Sequence, residues 1–198
     1  MSWLESLKLT FIPLFIVIDA LGAASVVVAL VGGMEPKERR NIINAATGTA
    51  TGIGLAFLFF GQFILNMMGI SVGAFAIAGG IILIVLSIKQ MITGQMVDVM
   101  ARREVAIVPI GTPLIVGPAT ITTLLMLVTR YPLTAVLLSF ILNMAITWVV
   151  FKVGEQIVRL FGHNGLNVIS RIFSLLLAAI AVNMVIEGLR LEGILPAM

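Results

Sequence analysis

The chain has 198 residues, of which 60% are hydrophobic and 11% charged, with a mean hydropathy of +1.18. An ordinary soluble domain carries about 25% charged residues, so this composition marks an integral membrane protein and excludes a sizeable water-soluble domain. A formal net charge of +3 is too small to point to nucleic acid, and the absence of cysteine excludes disulfides, thiolate metal sites and cysteine nucleophiles.

A helix that crosses a bilayer needs ~20 apolar residues, and six runs qualify: Leu9 to Val31, Ile42 to Met68, Val72 to Met91, Val105 to Val128, Leu133 to Val153 and Ser170 to Gly188. The segment before the first run holds Glu5 and Lys8 and lacks the positive start of a signal peptide, so this run is expected to stay in the mature protein.

The first run contains Asp19, followed by Ala20, Leu21, Gly22, Ala23, Ala24 and Ser25. A carboxylate at the bilayer centre costs at least ~2.5 to 3.5 kcal/mol, so Asp19 is expected to face protein, water or a ligand. Unwinding near Gly22 would expose a half-helix N-terminus suited to a substrate carboxylate, with Asp19 meeting an ammonium group or a coupling cation. Asp19 acting only as the cap of the restarted helix is the alternative. Ser25, on the same segment, is a further candidate for substrate contact.

The second run is preceded by Glu35-Pro36-Lys37-Glu38-Arg39-Arg40, a helix start with Pro36 at its first position. Within it lie Asn44, Thr47, Gly48, Thr51 and Gly52, and Gly48 and Gly52 have the spacing that lets helices approach closely. Helix packing is the expected use, with Asn44 or Thr51 lining a cavity as the alternative. The third run ends in the longest polar stretch, Thr93 to Glu104.

In the fourth run Pro109, Pro113, Gly117 and Pro118 stand where a spanning helix would continue, and interior proline costs about 3 kcal/mol. Gly117 and Pro118 read as a second helix start, with the hydroxyls of Thr120, Thr122 and Thr123 available to a substrate or to their own backbone. The fifth run carries Asn143 and Thr147, and the sixth Asn183 and Glu187, each pair on one helix face. Asn183 is deep enough to join a site, whereas Glu187 is near an end and is expected to reach water. Arg171 reads as an interface residue at the start of the last run, and His163 as a solvated loop residue.

With six spans, one face carries Lys37, Arg39, Arg40, Lys89, Arg102, Arg103, Lys152, Arg159 and Arg171, and the other Lys8, Arg130 and Arg190. Positive charge marks the cytoplasmic side, which predicts a multi-pass protein of the cytoplasmic (inner) membrane with both termini outside.

Phe60-Gly61-Gln62-Phe63-Ile64-Leu65 with Gly69 matches Val153-Gly154-Glu155-Gln156-Ile157-Val158 with Gly162, the glycines being 93 apart. Gly22 and Gly117 are 95 apart, as are Ala76 and Arg171 at the head of a second similar stretch. Three spans per half force opposite orientations, so a single membrane domain over residues 1–198 is predicted, all-α, built from inverted three-helix repeats over 1–93 and 105–198, with the first and fourth helices broken.

No metal-protease, nucleophile-elbow or phosphate-loop motif is present and no cluster of metal ligands, so no enzyme, metal site or cofactor is expected. At these positions the sequence resembles the MarC family of membrane proteins. The resemblance rests on Asp19-Ala20-Leu21-Gly22-Ala23, Gly61-Gln62, Phe75-Ala76-Ile77-Ala78-Gly79-Gly80, Pro113 through Thr123, and Gly165-Leu166-Asn167-Val168 leading to Arg171-Ile172. It implies six spans in two inverted halves and, for some members, transport of glycine, alanine and similar substrates. Ala20 stands where proline is usual, Ala23 where asparagine is usual and Ala76 where arginine is usual, leaving the first half fewer polar groups.

The resulting expectation is a secondary transporter of small neutral amino acids, working by alternating access and coupled to protons or sodium. Its site would lie between the breaks, from Asp19, Gly22, Ser25, Gly117, Pro118, Thr120, Thr122, Thr123 and Asn183, supported by Asn44, Gly48, Thr51, Asn143 and Arg171. A non-transporting assembly or regulatory protein, and an exporter of small hydrophobic or toxic compounds, are the other classes. The partners expected are the substrate and the lipid bilayer, with a homo-oligomer left open.

Overall fold

A computed structural model describes residues 2–93 and 115–196. Among these residues the regular structure is helical: α1 (Trp3–Ile18), α2 (Ala20–Val31), α3 (Pro36–Met67), α4 (Val72–Thr93), α5 (Pro118–Arg130), α6 (Leu133–Lys152) and α7 (Gly154–Leu191). Five stretches are long and apolar enough to span a membrane: Trp3–Val31, Pro36–Met67, Val72–Ile92, Leu133–Lys152 and Gly165–Leu191. The fourth expected span, from Val105, is described only from Ile115 onward, and there it is the shorter apolar helix Ala119–Arg130. Pro109 and Pro113 lie outside the described residues.

The first helix breaks at Asp19 and not near Gly22, as the sequence had suggested. Asp19 takes left-handed backbone angles, φ 44° and ψ 53°, the only positive φ at a non-glycine among the described residues. It ends α1 by donating its N–H to the Phe15 carbonyl at 3.3 Å, and it starts α2 by accepting from Gly22 N at 3.1 Å. Aspartate tolerates this conformation because its short carboxylate bonds the local backbone. The side-chain bond makes Asp19, and not the neighbouring glycine, the point where the helix changes course.

Pro36 opens α3 as expected, because its missing N–H is one that a first turn leaves unused. Gly69 after α3 and Gly162 within α7 both have positive φ, 69° and 67°, and Gly162 bends α7. His163, expected in a loop, lies in helical backbone just beyond that bend.

The small residues that bring helices together are not the expected ones. A Cβ on Gly48 or Gly52 would meet nothing, so these glycines do not serve close packing. The close approach is between α4 and α7, where a Cβ on Gly80 would lie 2.8 Å from the Ala181 carbonyl and one on Gly188 2.6 Å from the Gly73 carbonyl. In lipid such contacts replace the hydrophobic drive as the source of helix association. α1 is held to α6 by polar pairs: Thr10 and Ser139 share a hydrogen bond of 2.6 Å, and Asn143 donates to the Phe11 carbonyl at 3.3 Å. Asn143 is thus a packing residue, and its neighbour Thr147 bonds its carbonyl at 2.8 Å.

The core divides in two. One part gathers Leu14, Ile18, Val27, Ile43, Leu124, Phe140 and Phe151 across α1, α2, α3, α5 and α6. The other gathers Ile16, Val17, Leu83, Ala119, Leu177 and Met184, so that α1, α4, α5 and α7 meet around the first break.

Candidate functional site at the helix breaks

Asp19 is 2% exposed, and each of its carboxylate oxygens has a partner. Oδ1 accepts from Gly22 N, within the first turn of α2, and Oδ2 accepts from Gln90 Nε2 at 2.7 Å. Gln90 stands near the end of α4 and is also 2% exposed. From α7, Ser170 approaches the same point: a Cβ on Gly22 would lie 2.3 Å from Asp19 Oδ2 and 2.4 Å from Ser170 Oγ. The absence of that Cβ is what lets the carboxylate fold back over its own helix start. Three elements therefore converge on the break: α1–α2 with Asp19, α4 with Gln90, and α7 with Ser170.

Burying a charged carboxylate here is costly, and two N–H donors together with the partial positive charge of the α2 N-terminus offset part of that cost. The capping role weighed from the sequence is thus real, since Asp19 does cap α2. It uses only one of the two oxygens.

The second break shows a different chemistry. Gly117 is extended, φ −89° and ψ −174°, and Pro118 begins α5 without any side-chain cap. Thr120 Oγ1 donates back to the Ile115 carbonyl at 3.1 Å, stitching the turn before the helix. Thr122 packs against Gly79 of α4, where a Cβ would come 2.2 Å from its methyl. Thr123 directs its hydroxyl to Met184 Sδ at 3.9 Å.

Contacts along α7 order the two short helices. A Cβ on Gly154 would lie 2.9 Å from Val28, near the end of α2, while Ser170 lies beside Gly22 at its start. Met184 meets Thr123, and Glu187, farther along, pairs with Arg130 at the end of α5. So α2 runs against α7 and α5 runs with it, leaving the middle of α7 for opposite ends. At 1.5 Å per residue the 12 residues of α2 extend about 18 Å and the 13 of α5 about 20 Å. Each is close to half a bilayer, so both N-termini fall near the middle.

A cavity of about 350 Å³ lies between α1, α5 and α7 on the Arg130 side, and both Thr123 and Asn183 line it. Leu9 and Pro13 of α1 form another wall. Pro13 cannot donate to the Leu9 carbonyl, so a backbone acceptor loses its helical partner beside this cavity. Toward the end of the cavity Glu187 is paired with both Arg130 and Arg190, and so does not simply reach water.

The remaining sequence candidates lie apart from these places. Asn44, Gly48 and Thr51 line an open groove of about 570 Å³ between α3 and α6, where Trp148 donates its indole N–H to Asn44 Oδ1 at 2.8 Å. Thr51 bonds the Thr47 carbonyl at 2.7 Å. Arg171 is exposed on α7, and Ser25 belongs to α2. Gln90 and Ser170 went unread in the sequence. Gln90 had carried a signal, since it is a large amide inside the third apolar run.

Five stretches long and apolar enough to span, the first of them interrupted at a buried carboxylate, define an integral membrane protein. The chain belongs to the MarC family: residues 4–192 match the family described as MarC family integral membrane protein. It is 32% identical to a UPF0056 membrane protein of Methanocaldococcus jannaschii over 200 aligned residues, 94% of this chain and 97% of that one. It is 31% identical to the UPF0056 inner membrane protein YhgN of Escherichia coli strain K12, covering 90% of this chain and 93% of that one. A UPF0056 membrane protein of Pyrococcus abyssi is 29% identical, with 94% and 96% covered. No solved structure matches the chain.

Proposed function

We propose that the protein is a secondary transporter of small neutral amino acids of the glycine or alanine kind, working by alternating access across the cytoplasmic membrane and coupled to an ion. The observation that carries this reading is the pair of helix starts near mid-membrane, Ala20 and Pro118, running to opposite faces with Asp19 buried at one of them. Interrupted helices of this kind put backbone N–H groups where a carboxylate can be held and carbonyl ends where a cation can be held. The α5 start, which has no side-chain cap, suits the substrate carboxylate. The cavity lined by Thr123 and Asn183 lies beside α5 on the Arg130 side, and a volume of about 350 Å³ suits a small molecule.

Two inverted three-helix repeats account for this geometry. Supporting that organisation, α2 packs on α7 as α5 packs on α4, and the repeat-related Gly69 and Gly162 both have positive φ, 69° and 67°. The excess of Lys and Arg in the loops at the Arg39–Glu155 end over those at the Arg130–Glu187 end supports both termini outside.

The test is uptake of labelled alanine and glycine by purified protein in proteoliposomes, with and without imposed proton and sodium gradients. Gradient-driven accumulation is expected, and Asp19→Asn is expected to abolish or uncouple it while leaving the protein folded. Equal uptake by the variant would remove Asp19 from the mechanism, and absence of uptake under every gradient would overturn the transporter reading.

A further inference from the structure

Gln90 Oε1 is buried and has no hydrogen-bond partner among the described residues. The other end of the same amide is fully used, since Nε2 donates to Asp19 Oδ2 at 2.7 Å. An unmet acceptor in this setting costs about 1 to 3 kcal/mol, and the usual explanation is an ion, a water or a ligand that completes it. We infer that Asp19, Gln90 and Ser170 form a binding site for a monovalent cation of sodium's size at the break between α1 and α2.

Three features of the site agree on a cation. Two oxygens, from the Asp19 carboxylate and the Ser170 hydroxyl, flank one small volume at 2.3 Å and 2.4 Å from a common point, and the unpartnered oxygen of Gln90 belongs to the amide that bonds Asp19. Small, hard cations are held by oxygen ligands of this mixed kind. The break also ends α1, whose last carbonyls lose their helical donors there: Gly22 N, which would have met the Ile18 carbonyl, is taken by Asp19 Oδ1 at 3.1 Å. Carbonyl ends of half-helices are where transporters coordinate sodium. One carboxylate balances one positive charge, and among the described residues the side-chain bonds of Asp19 are to neutral donors only, Gly22 N and Gln90 Nε2. A divalent ion would leave the buried site with excess charge.

The site is too tight for an amino acid. Asp19 is almost fully enclosed and does not line the cavity that holds Thr123 and Asn183. The break therefore takes the ion while the cavity side takes the organic substrate, an assignment that rests on the transporter reading only in naming the cation as the coupling ion.

Sodium binding is measured directly on the purified full-length protein, with radioactive sodium and with thermal unfolding in sodium chloride against choline chloride at equal ionic strength. Wild type is expected to bind sodium saturably and to melt higher in it. Gln90→Leu, which removes the orphan oxygen at similar volume, is expected to weaken sodium binding at least tenfold. Ser170→Ala, the gentler change, is expected to weaken it several-fold, so that a folding defect in the first variant does not decide the matter. No sodium-specific binding by wild type, or unchanged affinity in Ser170→Ala together with folded Gln90→Leu, overturns the site. Amino-acid uptake in the same preparations separates the two readings: uptake without sodium binding removes the site and keeps the transporter, and sodium binding without uptake does the reverse.

Discussion

Replacing Gly22 by alanine is the sharpest probe of the first break, because the added methyl has nowhere to go. It would lie 2.3 Å from Asp19 Oδ2, 2.8 Å from Asp19 Cγ and 2.4 Å from Ser170 Oγ. The carboxylate is the movable neighbour, and moving it breaks the bonds to Gly22 N and Gln90 Nε2. Overpacking of this sort costs about 1 to 3 kcal/mol, and loss of an N-cap adds about 1 kcal/mol. Against this stands the helix preference for alanine over glycine, at most ~1 kcal/mol. The expected net loss is about 1 to 3 kcal/mol. For a chain of this length that lowers Tm by roughly 2 to 12 °C. Gly48→Ala is the matched control: a Cβ there meets nothing, so the helix preference acts alone and Tm should stay or rise. The assay is thermal unfolding in detergent followed by size-exclusion chromatography, with alanine uptake measured on the same samples. A Gly22→Ala protein as stable and as active as Gly48→Ala would refute the account of Asp19 as a carboxylate folded over its own helix start.

Other substitutions separate the remaining parts of the structure. Gly188→Val would drive a side chain toward the Gly73 carbonyl, 2.6 Å from the new Cβ, and is expected to cut the yield of folded protein severely, as monitored by chromatography of a fluorescent fusion. Thr123→Val and Asn183→Leu change the polar lining of the cavity and should raise the half-saturating alanine concentration several-fold with Tm nearly unchanged, read from uptake kinetics. Arg39→Gln breaks a pair whose Glu155 side chain is 52% exposed, so the loss should be below about 1 kcal/mol and the change in Tm small.

Much of the fold was legible because lipid allows so few solutions. Run length gave five of the six expected spans, Pro36 gave the start of α3, and Gly117-Pro118 gave the start of α5, each through backbone chemistry that depends on near neighbours only. The exact break in the first helix was not legible. Gly22 advertises flexibility, but the side-chain bond of Asp19 decides the site of the turn, and that bond needs the space a partner helix leaves open. The same limit hid Gln90 and Ser170, whose importance comes from α4 and α7 crossing at Asp19. It also misdirected the reading of Gly48 and Gly52, because glycine spacing says that helices could approach closely and not which ones do. Glu187, expected at water, owes one of its two ion pairs to Arg130 on a distant stretch of chain and the other to Arg190 one turn away.

The seam between α4 and α7 limits how this molecule can move. Gly80 and Gly188 bring backbone against backbone there, with Val185 and Ile77 filling the adjoining space. Sliding one helix along the other by a turn would carry bulky side chains into spaces that admit only hydrogen, so translation is blocked while a rocking motion about the contact is not. In the alternating-access cycle proposed above the seam would act as an axle, and the helices to swing would be those held by softer contacts, such as the shared hydroxyls of Thr10 and Ser139 between α1 and α6. A cross-link fastening α4 to α7 should be harmless to a working cycle, and one fastening α1 to α5 should stop it.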